Sequence, residues 1–165
     1  MIIPIYFFLF IELVMVSIND IRYRKIKNIW SLLNIIVAVI LFISLPSLYP
    51  FSIESFQFTF AFILIGFLLF LLKIMGGGDS KFLASFFLLV PLNEQEKFFF
   101  YLLLGTIIIG VFFLLKNTIH NREEIMISMR NKDVQGVKNC FGTKFAYAPV
   151  ILMTWIYFGY DIYLN

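Results

Sequence analysis

An all-α membrane bundle of about six transmembrane helices is the fold this chain predicts, and three observations carry that expectation. The 165 residues are 61% hydrophobic and only 14% charged. Mean hydropathy is +0.94. The apolar residues come in long runs divided by short polar breaks. Soluble domains fall well short of such values, whereas apolar runs of about 17 to 25 residues match the ~30 Å hydrocarbon core. A helix satisfies its own backbone in that setting. One integral-membrane domain over residues 1–165 is expected, with no soluble domain beside it.

The runs are Ile2 to Ile18, Ile29 to Leu48, Phe56 to Met75, Phe82 to Leu92, Phe98 to Leu115 and Phe145 to Tyr160. The fourth is short and follows the triplet Gly76-Gly77-Gly78, so it either begins within Gly78-Asp79-Ser80 or re-enters the face it came from. Met1 leads straight into Ile-Ile-Pro-Ile, with no basic region before the run and no small-residue cleavage site after it. A retained first span is expected rather than a removable signal. Cys140 is the lone cysteine, which leaves no intrachain disulfide and no Cys pair for zinc. His120, the lone histidine, shares the loop from Lys116 to Lys144 with it. A Cys–His catalytic pair is formally open there, although a loop thiol and imidazole are ordinarily just solvated. No metal and no organic cofactor is expected.

Basic residues sort the connections, because Lys and Arg near span ends stay on the cytoplasmic side. Arg22, Arg24, Lys25 and Lys27 lie between spans one and two, and Lys73 and Lys81 flank the turn between three and four. Lys116, Arg122, Arg130, Lys132, Lys138 and Lys144 border or fill the loop between five and six. Only Lys97, in the turn Asn93-Glu94-Gln95-Glu96-Lys97, falls opposite. The expected arrangement has both termini outside and three cytoplasmic connections. Asp20 and Asp79 then share the cytoplasmic boundary, and they meet if spans one and four pack together.

Carboxylates are costly beside hydrocarbon, so two of them at one boundary call for a reason. Aspartyl proteolysis supplies one. One carboxylate takes a proton from the attacking water, while the other, protonated, polarises the scissile carbonyl. The two titrate as a unit. Each acid also has a plain structural reading. Asp20 precedes basic residues, as interfacial charges do, and Gly76-Gly77-Gly78-Asp79 is an acceptable turn with a helix cap. Arg22 and Lys81 either favour the ionised forms or touch substrate, and otherwise serve as membrane-surface anchors.

Gly76-Gly77-Gly78-Asp79 fits the GxGD motif of intramembrane aspartyl proteases, and with Ser80-Lys81-Phe82-Leu83-Ala84 it resembles the GxGDxKLLA stretch of type IV prepilin peptidases. In that family an Asp precedes basic residues and Ile-Pro-Asn; here Asp20 leads through Arg22 and Arg24 to Ile26-Lys27-Asn28. Tyr147-Ala148-Pro149-Val150 is similar to the family's Ala-Pro stretch. The resemblance implies that Asp20 and Asp79 are the catalytic pair, with Gly76, Gly77, Gly78, Lys81 and Asn28 shaping the site or binding substrate. It implies a prepilin-like precursor as substrate, cut between its basic leader and its apolar helix. It also implies a multi-pass protein of the prokaryotic cytoplasmic membrane, with the bilayer as its other partner.

The larger bifunctional members carry an N-terminal cytoplasmic region with paired cysteines and also methylate the new N-terminus. This chain is similar instead to the short, peptidase-only form, so methylation is expected to be absent or done elsewhere. Lys27 stands where the family usually has Pro, and Phe86-Phe87 where small residues are common. Presenilin and signal peptide peptidase share GxGD, but their first Asp sits in a Tyr-Asp motif within a span, whereas Asp20 follows Asn19.

Glu12 is the one acid inside an expected span, and Asn34 lies in the second. Glu12 reads as a protonated structural carboxyl or a buried proton carrier, too far along the helix to join the pair. Asn34 reads as an interhelical hydrogen bond. Two other functions stay open on the residues alone: a small transporter subunit in which Asp20, Asp79 and Glu12 carry protons or cations, and a noncatalytic pilus or secretion assembly factor. Nucleic-acid binding has no support, because Glu123, Glu124 and Asp133 offset the basic loop. Oligomeric state is not legible.

Overall fold

The computed structural model describes residues 3–71, 75–130 and 146–164, and among these described residues apolar periodicity becomes seven helices. These are α1 (Ile3–Tyr23), α2 (Asn28–Ser44), α3 (Ile53–Leu71), α4 (Gly77–Phe87), α5 (Leu92–His120), α6 (Arg122–Arg130) and α7 (Ala148–Leu164), with no strand among the described residues. By length and composition α1, α3 and α5 are able to cross a membrane, and α2 and α7 are shorter apolar helices. The chain is an all-α membrane helical bundle. The loop expected from Lys116 begins as helix, since α5 continues to His120 and α6 follows. Cys140 and Lys73 lie outside the described residues.

Helix α4 lies against α2 and α3, while α7 lies against α1 and α5. Every residue of α4 from Phe82 to Phe87 is buried, as suits a helix with apolar side chains all round. By contrast α3 exposes Phe60, Ile63, Leu64, Phe67 and Leu68, a surface suited to lipid. The centre is aromatic. Trp155 of α7 meets Phe86 of α4 and Phe98 of α5 edge-on at 5.1 and 5.2 Å between ring centroids. Tyr6 of α1 stacks on Trp155 at 5.3 Å and donates to its carbonyl, and the indole N–H donates back to the Tyr6 carbonyl.

At 11 residues α4 rises only about 16 Å, so its C-terminal carbonyls end inside the bundle rather than in water. Other elements satisfy them. Gln95 Nε2 donates to the Phe87 and Val90 carbonyls at 3.1 Å each, Tyr49 donates to the Leu89 carbonyl at 3.1 Å, and Thr59 donates to the Ala84 carbonyl at 3.0 Å. This accounts for one departure from expectation: Asn93 to Lys97 is the opening of α5, not a turn. Its polar residues start a helix after Pro91 because Gln95 is needed inside. Gln95→Leu is expected to destabilise the bundle by about 3 kcal/mol, since buried carbonyls lose their donors. A lowered melting temperature in detergent checks this.

The second departure concerns α1, which runs beyond Ile18 to Tyr23 and so carries Asp20 on the helix. It stops where Arg24 takes φ 51 and its N–H closes the last turn on the Asp20 carbonyl at 2.8 Å. This is a left-handed cap made without glycine.

Candidate active site

The inward face of α1 presents Leu9, Glu12, Leu13, Val16, Ser17 and Asp20, a stripe at helical spacing. Asp20 is 3% exposed. Its Oδ2 accepts the Ala148 N–H at 3.0 Å. Ala148 opens α7, where the first N–H groups have no partner within the helix, and Pro149 brings none of its own. Asp20 thus caps α7 from another helix, with its carboxylate facing that helix's positive end.

Asp79 is the third residue of α4 and is half-buried. Its Oδ2 accepts the Gly76 N–H at 3.1 Å, and its own N–H donates to the Gly76 carbonyl at 3.1 Å. The carboxylate folds back over the glycine that precedes the helix, as an acid at this position does. A side chain on Gly76 would meet it, for an added Cβ would stand 2.8 Å from Asp79 Oδ2. An added Cβ on Gly78 would stand 2.5 Å from the Ile26 carbonyl oxygen. That close approach seats the start of α4 on the connection between α1 and α2. Gly77 faces Phe70 at an ordinary 3.5 Å.

A meeting of the two acids was tied to packing of the first span against the fourth. Instead α1 packs chiefly along α7, and α4 between α2 and α3. The segment entering α7 reaches the first of the acids. The Ala148 N–H holds Asp20, and Tyr147 precedes it in the chain. Thr106 of α5 fixes the phenol. Its hydroxyl spends its one proton on the Leu102 carbonyl at 2.7 Å, so Tyr147 donates to it across 2.8 Å. Lys81 and Asn28 lie at this same end with exposed side chains.

Three features escaped the sequence. Tyr147 and Ala148 belonged to a motif without assigned roles, and their partners Thr106 and Asp20 are distant along the chain. The hydroxyls of Ser17, one helical turn before Asp20, and of Ser80, next to Asp79, are buried and have no hydrogen-bond partner among the described residues. The backbone of Ile26 has no signature at all. Only the spacing of Asp20 from the inward stripe could have shown that it points into the bundle.

The chemistry open to this arrangement is that of two carboxyl groups at one end of an apolar bundle, flanked by a fixed phenol and by backbone kept bare by glycine. No curated protein and no solved structure matches the chain. The model of the type IV leader peptidase family matches residues 7–115, which hold both aspartates and the glycine triplet, and the chain belongs to that family.

Proposed function

We propose that this protein is an aspartyl endopeptidase that removes the leader from type IV prepilin-like precursors, with Asp20 and Asp79 as its catalytic pair. The observation that carries this reading is that Asp20, buried and bonded to the Ala148 N–H, and Asp79, folded over Gly76 at the start of α4, lie at the same end of the bundle, where Gly78 closes on the Ile26 backbone between α1 and α2. Family membership supports the leader peptidase activity, and the GxGD motif supports the aspartic type.

The pair shares one proton. The ionised carboxyl takes a proton from water as the water oxygen attacks the scissile carbonyl carbon. The protonated carboxyl hydrogen-bonds the carbonyl oxygen as it gains charge. A proton passed to the amine nitrogen then lets the C–N bond break, releasing the leader's new carboxylate and the mature N-terminus. The Ala148 N–H orients Asp20, and the Gly76 N–H orients Asp79. Gly76, Gly77 and Gly78 let the Asp79 carboxylate, Phe70 and the Ile26 backbone close in on the start of α4, which seats Asp79, with Lys81 and Asn28 at the rim.

Arg22, Arg24, Lys25, Lys27 and Lys81 gather at the same end of the bundle. This supports a cytoplasmic-facing site in a multi-pass protein of the prokaryotic inner membrane. A precursor lying in the bilayer would present its leader junction there. The remaining partner is the lipid itself.

The test is cleavage of a pilin-like precursor from the same genome, in membranes, by wild type and by Asp20→Asn and Asp79→Asn. Cutting at the leader junction that stops in each variant at equal abundance is the expected result; normal cutting by both would overturn the assignment. Tyr147→Phe removes the hydroxyl that Thr106 holds at the entry to α7 without removing the ring, and is expected to lower cleavage about tenfold at unchanged abundance. A rate equal to wild type would remove Tyr147 from the site.

A further inference from the structure

Glu12 is a third buried acid, 3% exposed, and hydrolysis as described gives it no part. Opposite it on α2 is Asn34, fully buried, and beyond Asn34 is buried Ser85 of α4. One terminal atom of the Asn34 amide lies 2.9 Å from both Glu12 carboxyl oxygens; the other lies 3.4 Å from Ser85 Oγ. Ser85 Oγ donates to the Phe82 carbonyl at 2.9 Å.

These contacts admit two arrangements of hydrogens. With a proton on Glu12, its O–H donates to Asn34 Oδ1, Asn34 Nδ2 donates to Ser85 Oγ, and Ser85 donates to Phe82. Each donor has an acceptor and the bonds run one way across three helices. With Glu12 ionised, the amide must turn half-way round so that Nδ2 meets the carboxylate. Its oxygen then faces Ser85 Oγ, which turns its hydrogen from the Phe82 carbonyl to Asn34; the bonds can all be made, but a negative charge is left inside the apolar bundle.

No cation among the described residues offsets an ionised Glu12. Helix α2 has no titratable side chain, and those of α4 are Asp79 and Lys81 at its start. Those of α7 are Tyr157, Tyr160, Asp161 and Tyr163 toward its far end, where Asp161 is held by Lys97 and Tyr101. On α1 itself are Tyr6, paired with Trp155, and Asp20, Arg22 and Tyr23 at the site end.

We infer that protonated Glu12 is a positioning residue, the first member of a Glu12–Asn34–Ser85 clamp that ties α1 through α2 to α4 and fixes the height of Asp20 against Asp79. The inference rests on reading those two acids as the catalytic pair. Its physical basis is that α1 packs along α7 rather than α4, so the relative height of the acids depends on bridges of this kind. The clamp joins the two helices that carry the acids, and its bonds are satisfied in one register only.

Two measurements test it, on the full chain in lipid nanodiscs. The first needs no substrate. In an Asp20→Asn, Asp79→Asn background, the infrared carbonyl band of a protonated carboxyl should be present at neutral pH and vanish with Glu12→Gln. Its absence would overturn the inference whatever the fate of the peptidase reading.

The second is precursor cleavage. Glu12→Gln keeps the donor toward Asn34 and should retain kcat within about twofold, whereas Glu12→Leu should lose about tenfold in kcat with KM unchanged. Loss in Glu12→Gln as deep as in Glu12→Leu would show that a carboxylate is required and would overturn the clamp. Should Glu12→Leu fail to accumulate, Ser85→Ala deletes a single hydroxyl and supplies the comparison, with a fall of about threefold in kcat expected and none overturning the clamp. A wild type that cuts no precursor would count against the peptidase reading, and the infrared result would still decide the proton on Glu12.

Discussion

Asp20→Asn and Asp79→Asn are each expected to cut the cleavage rate by about 10³-fold or more, because an amide can neither accept the water's proton nor share one with its partner. The folded bundle should survive both changes, for reasons visible at each site. Asparagine caps a helix about as well as aspartate, so its amide oxygen at position 20 still accepts the Ala148 N–H, and at position 79 the Gly76 N–H. Asp20→Ala is the informative control. It removes the cap of α7 as well as the chemistry, and should cost about 1 kcal/mol of stability that Asp20→Asn does not. Cleavage in membranes, read beside melting in detergent, separates the two roles. An Asp20→Asn protein as destabilised as Asp20→Ala would mean that the acid's contribution is structural.

Gly78→Ala is expected to lower cleavage about 10²-fold, although it adds a single methyl group. The added carbon would stand 2.5 Å from the Ile26 carbonyl oxygen, and a backbone oxygen cannot swing aside as a side-chain end can. The first turn of α4 must retreat, carrying Asp79 with it, and a displacement near 1 Å costs about 10²-fold when two groups must act on one bond. Gly77→Ala, one residue earlier, meets Phe70 at 3.5 Å and should stay within about threefold of wild type. Both substitutions favour helix by propensity, so a large gap between them isolates the close approach. Equal rates would show that the seat of α4 on Ile26 does not position the acid.

Much of this was legible in the sequence because hydrocarbon imposes simple rules. Spans must be apolar and long, so composition and run length gave the bundle; acids near hydrocarbon must be justified, so Asp20, Asp79 and Glu12 stood out. Asn34 was legible as an interhelical bond, though not its partners. Less legible was whatever depended on satisfying one element's backbone from another. Asn93 to Lys97 looks like a polar turn until the carbonyls ending α4 need Gln95. Asp20 looks like an interfacial charge until the free N–H of Ala148 needs an acceptor. Tyr147 was readable only as part of a motif, since its bond to Thr106 joins segments with no shared pattern.

Thr106, which anchors the Tyr147 phenol, lies about 13 Å of helix rise short of Leu115, and α5 continues through exposed Ile107, Ile108, Val111, Phe112 and Leu115. Helix α1 has already reached Arg22, with Arg24 just beyond its end, at the level of Asp20. The wall around the site is therefore of unequal apolar height, tall at α5 and low at α1. A bilayer meets such a rim by dipping on the low side, as headgroups and water follow the arginines inward. Hydrolysis consumes water and hydrocarbon holds almost none. On the peptidase reading the short side of the bundle is expected to act as a spillway, with water reaching the acids from that flank while the tall side stays against lipid.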